Sequence, residues 1–391
     1  MNPPKVNFIS PCWKGGAGWF VNALARGMAE AGIALTLISP EAEPIEREGH
    51  HQNLSRIKTS KGPDGKGTLA FRVTQFSRKM TDVFAGIVRA RLRSRVFLYS
   101  FIDFLPVGVA HFLLIRLLGG RLVYIVHDAT PHAWAFPERF RRVEQALHRL
   151  TYRLPSHLVT LTEAAKAELV SDYGIAPDRI SVIPHGAYVP ERMAPISGTG
   201  QVILFGTLRR NKRIKEAIEA FSSYHGRFPR LRLLIAGAVH AEDQSYWTQC
   251  SEAIIGHEHV IKTEIGFVEE GRLQKLIAES DAVLLPYEDF NSQSGVAVLA
   301  CFSERILIAT AAGGIGELQT MGLHLHEIQR PVSPETIADA LQAFALLPID
   351  FVGDRAVLSR QALEQRLDWT RIGQEYALLL DDHLSKRMTA R

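Results

Sequence analysis

The sequence predicts an α/β protein built as two doubly wound parallel-sheet domains, and three observations predict it. Short β-branched or apolar runs alternate with helical patterns along the whole chain, the order expected of βαβ units. At 391 residues and 46% hydrophobic content, the chain is too long for one ordinary core. A stretch from His185 to Gly200, rich in Gly and Pro and without strand or helix period, divides the strands into two sets.

In the first half the strand candidates are Val6–Ser10, Ala34–Ser39, Val96–Ser100, Arg121–Val126, His157–Leu161 and Ile180–Pro184. In the second they are Gln201–Phe205, Leu231–Ala236, Val260–Thr263, Ala282–Pro286 and Arg305–Thr310. The domains are drawn at residues 1–190 and 200–368, followed by a terminal helix at 369–391 that packs back across the domains. A cleft between two such domains is the default ligand site. The polar, basic segment His50–Gly67 is expected to be a mobile loop.

Cys12, Cys250 and Cys301 are few, odd in number and far apart, so neither a disulfide framework nor a zinc site is predicted, and a reducing cytosol fits. The N-terminus reads as a strand rather than a signal peptide, and the longest apolar run, Phe104 to Leu118, is broken by Pro106, His111 and Arg116. A cytoplasmic protein, soluble or peripheral on a membrane, is expected. The net charge of +4 conceals an asymmetry: 25 Lys+Arg against 16 Asp+Glu in residues 1–195 give +9, and the rest of the chain carries −5.

After the first strand comes Cys12-Trp-Lys-Gly-Gly-Ala-Gly18, then a helical pattern. Glycines there let backbone N–H groups approach a phosphate or sugar oxygen at the positive helix end, or simply allow a tight turn. The spacing is not G-x-G-x-x-G, which argues against a dinucleotide-dependent dehydrogenase. The second half opens similarly. A strand ends at Gly206, and five cations follow between Arg209 and Lys215, where they oppose the helix dipole unless they serve an anion. Arg209 and Lys212 can neutralise a diphosphate, Arg by bidentate geometry and Lys as a point charge. His127 and Asp128 sit at a predicted strand's carboxyl end, where polar residues point into the switch-point crevice; a His/Asp/His metal site with His132 would need a further ligand that the sequence does not place, so no metal site is predicted.

Six stretches in register resemble one family: the first glycine loop, His127-Asp128, Leu161–Lys166 with Ile180–Gly186, Phe205–Lys212, the run into Ser294-Gly-Val296, and Ala312–Glu317. The set resembles the retaining GT-B glycosyltransferases of family 4 over about residues 5–385. The resemblance implies two Rossmann-like domains facing a central cleft, the first for acceptor and the second for a nucleotide-diphosphate sugar. It also implies transfer with retention, and no metal or other cofactor. Arg209 and Lys212 match the diphosphate-binding cations, His127 the active-site histidine, and Gly15 and Gly16 the loop approaching the donor, with Gly206 at the strand end. Where the family often has Glu-x7-Glu, this chain has Ser292 and Ala300. That pattern is similar to a Ser-Gly-Val variant found among polysaccharide-assembly enzymes. Ser292, Ser294 and the N–H groups of Gly295 and Val296 are then expected to hold the diphosphate, and Glu304, one helical turn beyond Ala300, to reach the ribose. The missing glutamates also admit a second reading, a non-catalytic nucleotide-sugar or glycan-binding subunit.

Arg72, Arg78, Lys79, Arg89, Arg91, Arg93 and Arg95 surround a single acid, Asp82, and a second patch holds Arg139, Arg141, Arg142, Arg149 and Arg153. Both are interleaved with apolar residues. Such helices suit an anionic membrane surface, and in an acceptor domain they point to a lipid-linked acceptor, unless they form a solvated charged face. No nucleic-acid-binding signature accompanies them.

Overall fold

The computed structural model describes residues 4–13, 15–40, 51–62, 68–130, 136–187, 194–288 and 290–385. The chain divides into two compact units, Met1–Gly186 with Leu367–Arg391, and Ala187–Arg366. His132, the middle of the expected linker, both ends of the expected loop and the last six residues lie outside the described residues.

The first unit runs β1 (Lys5–Ile9), α1 (Gly15–Glu30), β2 (Ala34–Pro40), β3 (Leu54–Thr59), α2 (Leu69–Arg91), β4 (Val96–Ser100), α3 (Leu105–Leu117), β5 (Arg121–Val126), α4 (Arg141–Arg153), β6 (His157–Thr160), α5 (Glu163–Tyr173) and β7 (Ile180–Val182). Its strands are all parallel, in the order β3-β2-β1-β4-β5-β6-β7, so the topological switch point lies between β1 and β4. The central strands are buried on both faces, which is why they read as unbroken apolar runs such as Val96–Ser100. Each α5 end has a local cause: the Thr162 hydroxyl accepts from Ala165 N at 3.1 Å at the start, and Gly174 turns left-handed at φ 64° at the finish.

The second unit runs β8 (Gln201–Phe205), α6 (Ile214–Ser223), β9 (Arg232–Gly237), α7 (Gln244–Ile254), β10 (Ile261–Ile265), α8 (Glu270–Ala278), β11 (Ala282–Leu285), α9 (Gly295–Phe302), β12 (Ile306–Ala309), α10 (Gly313–Thr320), β13 (Leu325–Glu327), α11 (Pro334–Ala345) and α12 (Ile349–Arg366). This sheet is also parallel, ordered β10-β9-β8-β11-β12-β13, and its switch point lies between β8 and β11. Two parallel, doubly wound Rossmann-like α/β sheets are thus present.

Two strands differ from the sequence reading. The expected mobile loop contains β3, an edge strand whose Ser55 hydroxyl donates to Leu35 O at 3.2 Å. Its polar residues, Ser55, Arg56 and Lys58, hid it; an exposed edge tolerates them and benefits from charge. The three-residue β13 was too short to register.

The last helix, α13 (Trp369–Ser385), belongs to the first unit. Its Ile372, Tyr376 and Leu380 complete the core made by Phe20, Leu24 and Met28 of α1. Burial of Ile372 and Leu380 contributes about 1.5–3 kcal/mol each. The two helices meet at glycines: a Cβ on Gly27 would stand 2.1 Å from Trp369 O, and one on Gly373 2.2 Å from Gly27 C. Any side chain at either position would force the helices apart.

Candidate active site

In the second unit the residues converge at the switch point. Gly206 ends β8 with φ 98°, a conformation that favours glycine, and a Cβ on Gly237 at the end of β9 would lie 2.0 Å from Gly206 O. The two strand ends therefore approach as only glycine allows. A tight turn at Arg210–Lys212 brings Lys212 back over this edge, and its Nζ donates to Phe205 O at 3.0 Å. The same ammonium lies 5.7 Å from the Tyr287 ring centroid. A Cβ on Gly206 would be 3.1 Å from Lys212 Nζ and 3.4 Å from Val296 Cγ2, so Gly206, Lys212 and Val296 share one spot. Burial, and secondarily Arg209, push the Lys212 ammonium down to about 8. It is still charged at neutral pH, with one backbone acceptor among the described residues and a nearby like charge. An anion would relieve both penalties.

Facing it is the start of α9. Ser294 is the N-cap, its hydroxyl accepting from Ala297 N at 3.1 Å, which fixes the hydroxyl at the helix entrance. Gly295 is exposed with open space where a Cβ would stand. The loop before it is held on both sides. Thr310 Oγ1 donates to Tyr287 O at 2.5 Å, Gly314 N donates to Phe290 O at 3.2 Å, and Val332 N donates to Glu288 Oε2 at 2.9 Å. The Gly313-Gly314 pair has a steric cause: Cβ atoms there would stand 2.0 Å from Phe290 O and 2.3 Å from Ser292 O. Ser292 is buried against this turn.

Glu304 is not where the sequence reading put it. The helix α9 ends at Phe302, and Glu304 lies beyond it at φ 52°, paired with Arg360 Nη1 at 3.2 Å. It is therefore not one helical turn past Ala300, and its carboxylate already has a cation. Ala300 itself is fully buried.

In the first unit, His127 follows β5. Its Nε2 and the Ser100 hydroxyl lie 2.9 Å apart, and its ring stacks on Phe101 at 3.7 Å and 13°. Phe101 is left-handed, φ 56°, a strained state for an aromatic residue held by that stack. Phe20 packs edge-on at 4.8 Å, and behind it stand His185, Trp19 and Trp369. Gly186 is required here, since its Cβ would strike the Trp369 ring at 2.4 Å. Burial, then His185, push His127 down to about 3 against an opposing pull from Asp128, and burial pushes His185 down to about 4. His127 is a neutral hydrogen-bonding group, suited to a sugar hydroxyl rather than a phosphate.

The glycine loop divides. Gly15 opens α1 and Gly16 faces open space, but a Cβ on Gly18 would lie 2.0 Å from Trp13 O. The tight turn thus needs Gly18, leaving Gly16 free for a close ligand approach. Of the basic residues, Lys79 is not on a solvated face: it is 7% exposed and paired with Asp103.

Sequence reasoning gave no role to Tyr287 or to the aromatic group around His127. The signal was position alone, since Tyr287 and Phe101 each follow a switch-point strand.

Residues 14–188 match Glycosyltransferase Family 4, and residues 199–345 match Glycosyl transferases group 1. The chain carries two glycosyltransferase domains. No match was found among curated proteins. Among solved structures, Anabaena Alr3699/HepE in complex with UDP and glucose is 18% identical, with 97% of this chain and 100% of that one covered and a TM-score of 0.69. Sucrose-phosphate synthase from Thermosynechococcus elongatus is 14% identical, with 98% and 100% covered and a TM-score of 0.71. WaaG, a glycosyltransferase involved in lipopolysaccharide biosynthesis, is 16% identical, with 95% and 98% covered and a TM-score of 0.60. At these identities the likeness speaks to the fold.

Proposed function

We propose that the glycosyltransferase domains form an enzyme that moves a sugar from a nucleotide-diphosphate sugar to a saccharide acceptor, with retention and without a metal. The observation that carries this is the Lys212 ammonium, drawn onto the strand edge beside Gly206, Val296 and Tyr287. A cation with a depressed pKa at a helix entrance is an arrangement that favours a bound diphosphate. The UDP bound by the HepE structure supports the same donor class.

In this reading the bond from the anomeric carbon to the phosphate oxygen breaks as the acceptor oxygen attacks on the same face. The acceptor proton passes to the leaving phosphate oxygen, and no protein nucleophile is used. Lys212 and Arg209 stabilise the charge that develops on the diphosphate, while the Ser294 hydroxyl and the N–H groups of Gly295 and Val296 hold its oxygens. Ser292 braces that turn, and neutral His127 orients the transferred sugar. With Glu304 committed to Arg360, the ribose hydroxyls fall to other groups.

The acceptor is assigned as lipid-linked, within bacterial surface polysaccharide or glycolipid assembly on the cytoplasmic membrane face. Leu113 and Leu117 of α3, Val143 and Leu150 of α4, and Leu92 just past α2 are all exposed. They lie among Arg89, Arg116, Arg142 and Arg149, none of which has a carboxylate partner among the described residues. No single helix among the described residues is long and apolar enough to cross a membrane. Each cation near an anionic surface contributes about 1 kcal/mol.

The test is a thermal-shift series with UDP, GDP and their sugars. A ligand at 100 times its dissociation constant adds about 2.7 kcal/mol of stability, and its identity names the base. Stabilisation without sugar transfer to any glycan acceptor would support the binding-subunit reading instead. No response to any nucleotide would overturn the diphosphate assignment.

A further inference from the structure

The first unit holds a second constellation, separate from the His127 cluster. At the carboxyl ends of β1 and β4 a pocket of about 570 Å³ is lined by Pro11, Cys12, Trp13, Lys61, Lys79 and Asp103, with Phe76 and Phe104 as further walls. It adjoins a smaller apolar recess between α2 and α3 that reaches Tyr99 and His111.

The pocket is built. Asp82 Oδ2 accepts from Ser60 N at 2.9 Å, which ties the chain after β3 to α2 and carries Lys61 to the rim. There Lys61 Nζ stands 4.4 Å from the Trp13 ring centroid, and Trp13 Nε1 donates to Lys61 O at 3.0 Å. Gly62, φ 80°, leaves room for the Lys79 stem, whose Cδ would be 2.8 Å from a Cβ there.

Two buried donors in this constellation are incompletely used. Lys79 is 7% exposed, and among the described residues Asp103 is its one acceptor, so two of its three N–H groups are unpaired. His111 is 1% exposed, its Nδ1 lies 2.9 Å from Tyr99 OH, and its Nε2 has no partner among the described residues. Burial pushes His111 down to about 4, so the neutral ring carries one N–H, on Nε2 when the Tyr99 hydroxyl donates to Nδ1. Buried donors left unpaired keep their desolvation penalty unless an acceptor reaches them. Among the described residues the lining brings the ammonium groups of Lys61 and Lys79 together with the carboxylate of Asp103. The Cys12 thiol, pushed up to about 11 by burial and by Asp103, is not a nucleophile here.

We infer that this pocket takes the anionic group of the acceptor, a phosphate or a carboxylate, whose oxygens accept from Lys79 and Lys61 while the adjoining sugar ring lies against Trp13, Phe76 and Phe104. Lys79 and Lys61 are then acceptor-specificity residues. The inference rests on the proposed glycosyl transfer, and the two stand or fall on different measurements.

The experiment is calorimetric titration of the full chain with glucose 1-phosphate, glucuronate and glucose. An anionic sugar is expected to bind at least tenfold tighter than glucose, to weaken at least tenfold in Lys61→Ala and Lys79→Met, and to keep its affinity in Lys79→Arg and in Lys212→Ala. Preference for glucose 1-phosphate assigns a phosphorylated or lipid-phosphate acceptor, and preference for glucuronate an acidic saccharide. Glucose binding as tightly as either anion, no binding of any of the three, or anion binding that fails only in Lys212→Ala would overturn the inference. Should Lys79→Met lower the melting temperature, Lys61→Ala and Lys79→Arg carry the test. Nucleotide stabilisation, lost in Lys212→Ala and kept in Lys61→Ala, reports separately on the donor reading.

Discussion

The two switch points are alike in topology and different in chemistry. At β1/β4 the polar groups are imidazoles kept neutral by burial, and the adjoining pocket sets Lys79 against the Asp103 carboxylate. At β8/β11 the polar group is an ammonium kept charged against burial, with glycines clearing its path. A parallel sheet offers the same crevice in both units, and the side chains just past the strands decide whether its centre is held by a neutral ring or by an ammonium.

The strongest way to break the comparison is Lys212→Ala. Transfer should fall about 10²–10³-fold, as for loss of one transition-state donor, with initial rates on a nucleotide sugar as the measure. A loss under tenfold would mean that the anionic role lies elsewhere.

Next is Gly237→Ala. At φ 141°, with a Cβ placed 2.0 Å from Gly206 O, the change should cost roughly 1–3 kcal/mol of stability and weaken nucleotide binding together. Gly16→Ala, in open space at a helix start, is the matching control, and it should leave stability unchanged or raise it by up to about 1 kcal/mol. Equal melting temperatures for the two variants would contradict the steric account.

A pH titration sharpens the contrast further. The Lys212 pKa of about 8 belongs to the unliganded site, and a bound anion raises it. Affinity for UDP-glucose should therefore be level below pH 8 and decline as pH rises above it, while Lys212→Arg should stay level. His127, neutral above pH 5 at its lowered pKa, should add no step between pH 5 and 8.

The smallest effect is expected for Glu304→Gln. It removes a partly exposed ion pair to Arg360, so about 0.5–1 kcal/mol of stability should go while affinity for UDP is unchanged. A large loss of affinity would return Glu304 to the ribose.

The strands were legible because central parallel strands are apolar throughout, and Arg121–Val126 and Gln201–Phe205 have the same bounds in sequence and structure. Edge strands escape that logic, as β3 did, because one side of them is allowed to be polar. At the site, Lys212 and Gly206 could be read from charge opposing a helix dipole and from a glycine at a strand end. Glu304 could not, because the left-handed turn that ends α9 falls on a residue with no glycine or proline to announce it. Lys79 looked like one more basic surface residue, since its partner Asp103 is 24 positions away and only the tertiary fold brings them together.

Because α13 completes the core of the first unit, Met1–Gly186 cannot close its own interior, and the second unit is topologically an insertion within the first. During synthesis the usual order, in which N-terminal domains mature first, is reversed. The insert has all its strands once residue 327 has emerged from the ribosome, while the surrounding unit waits with an apolar groove along α1 until α13 follows. That groove, matched to the glycine seam at Gly27 and Gly373, makes the docking of α13 the step that closes the first unit.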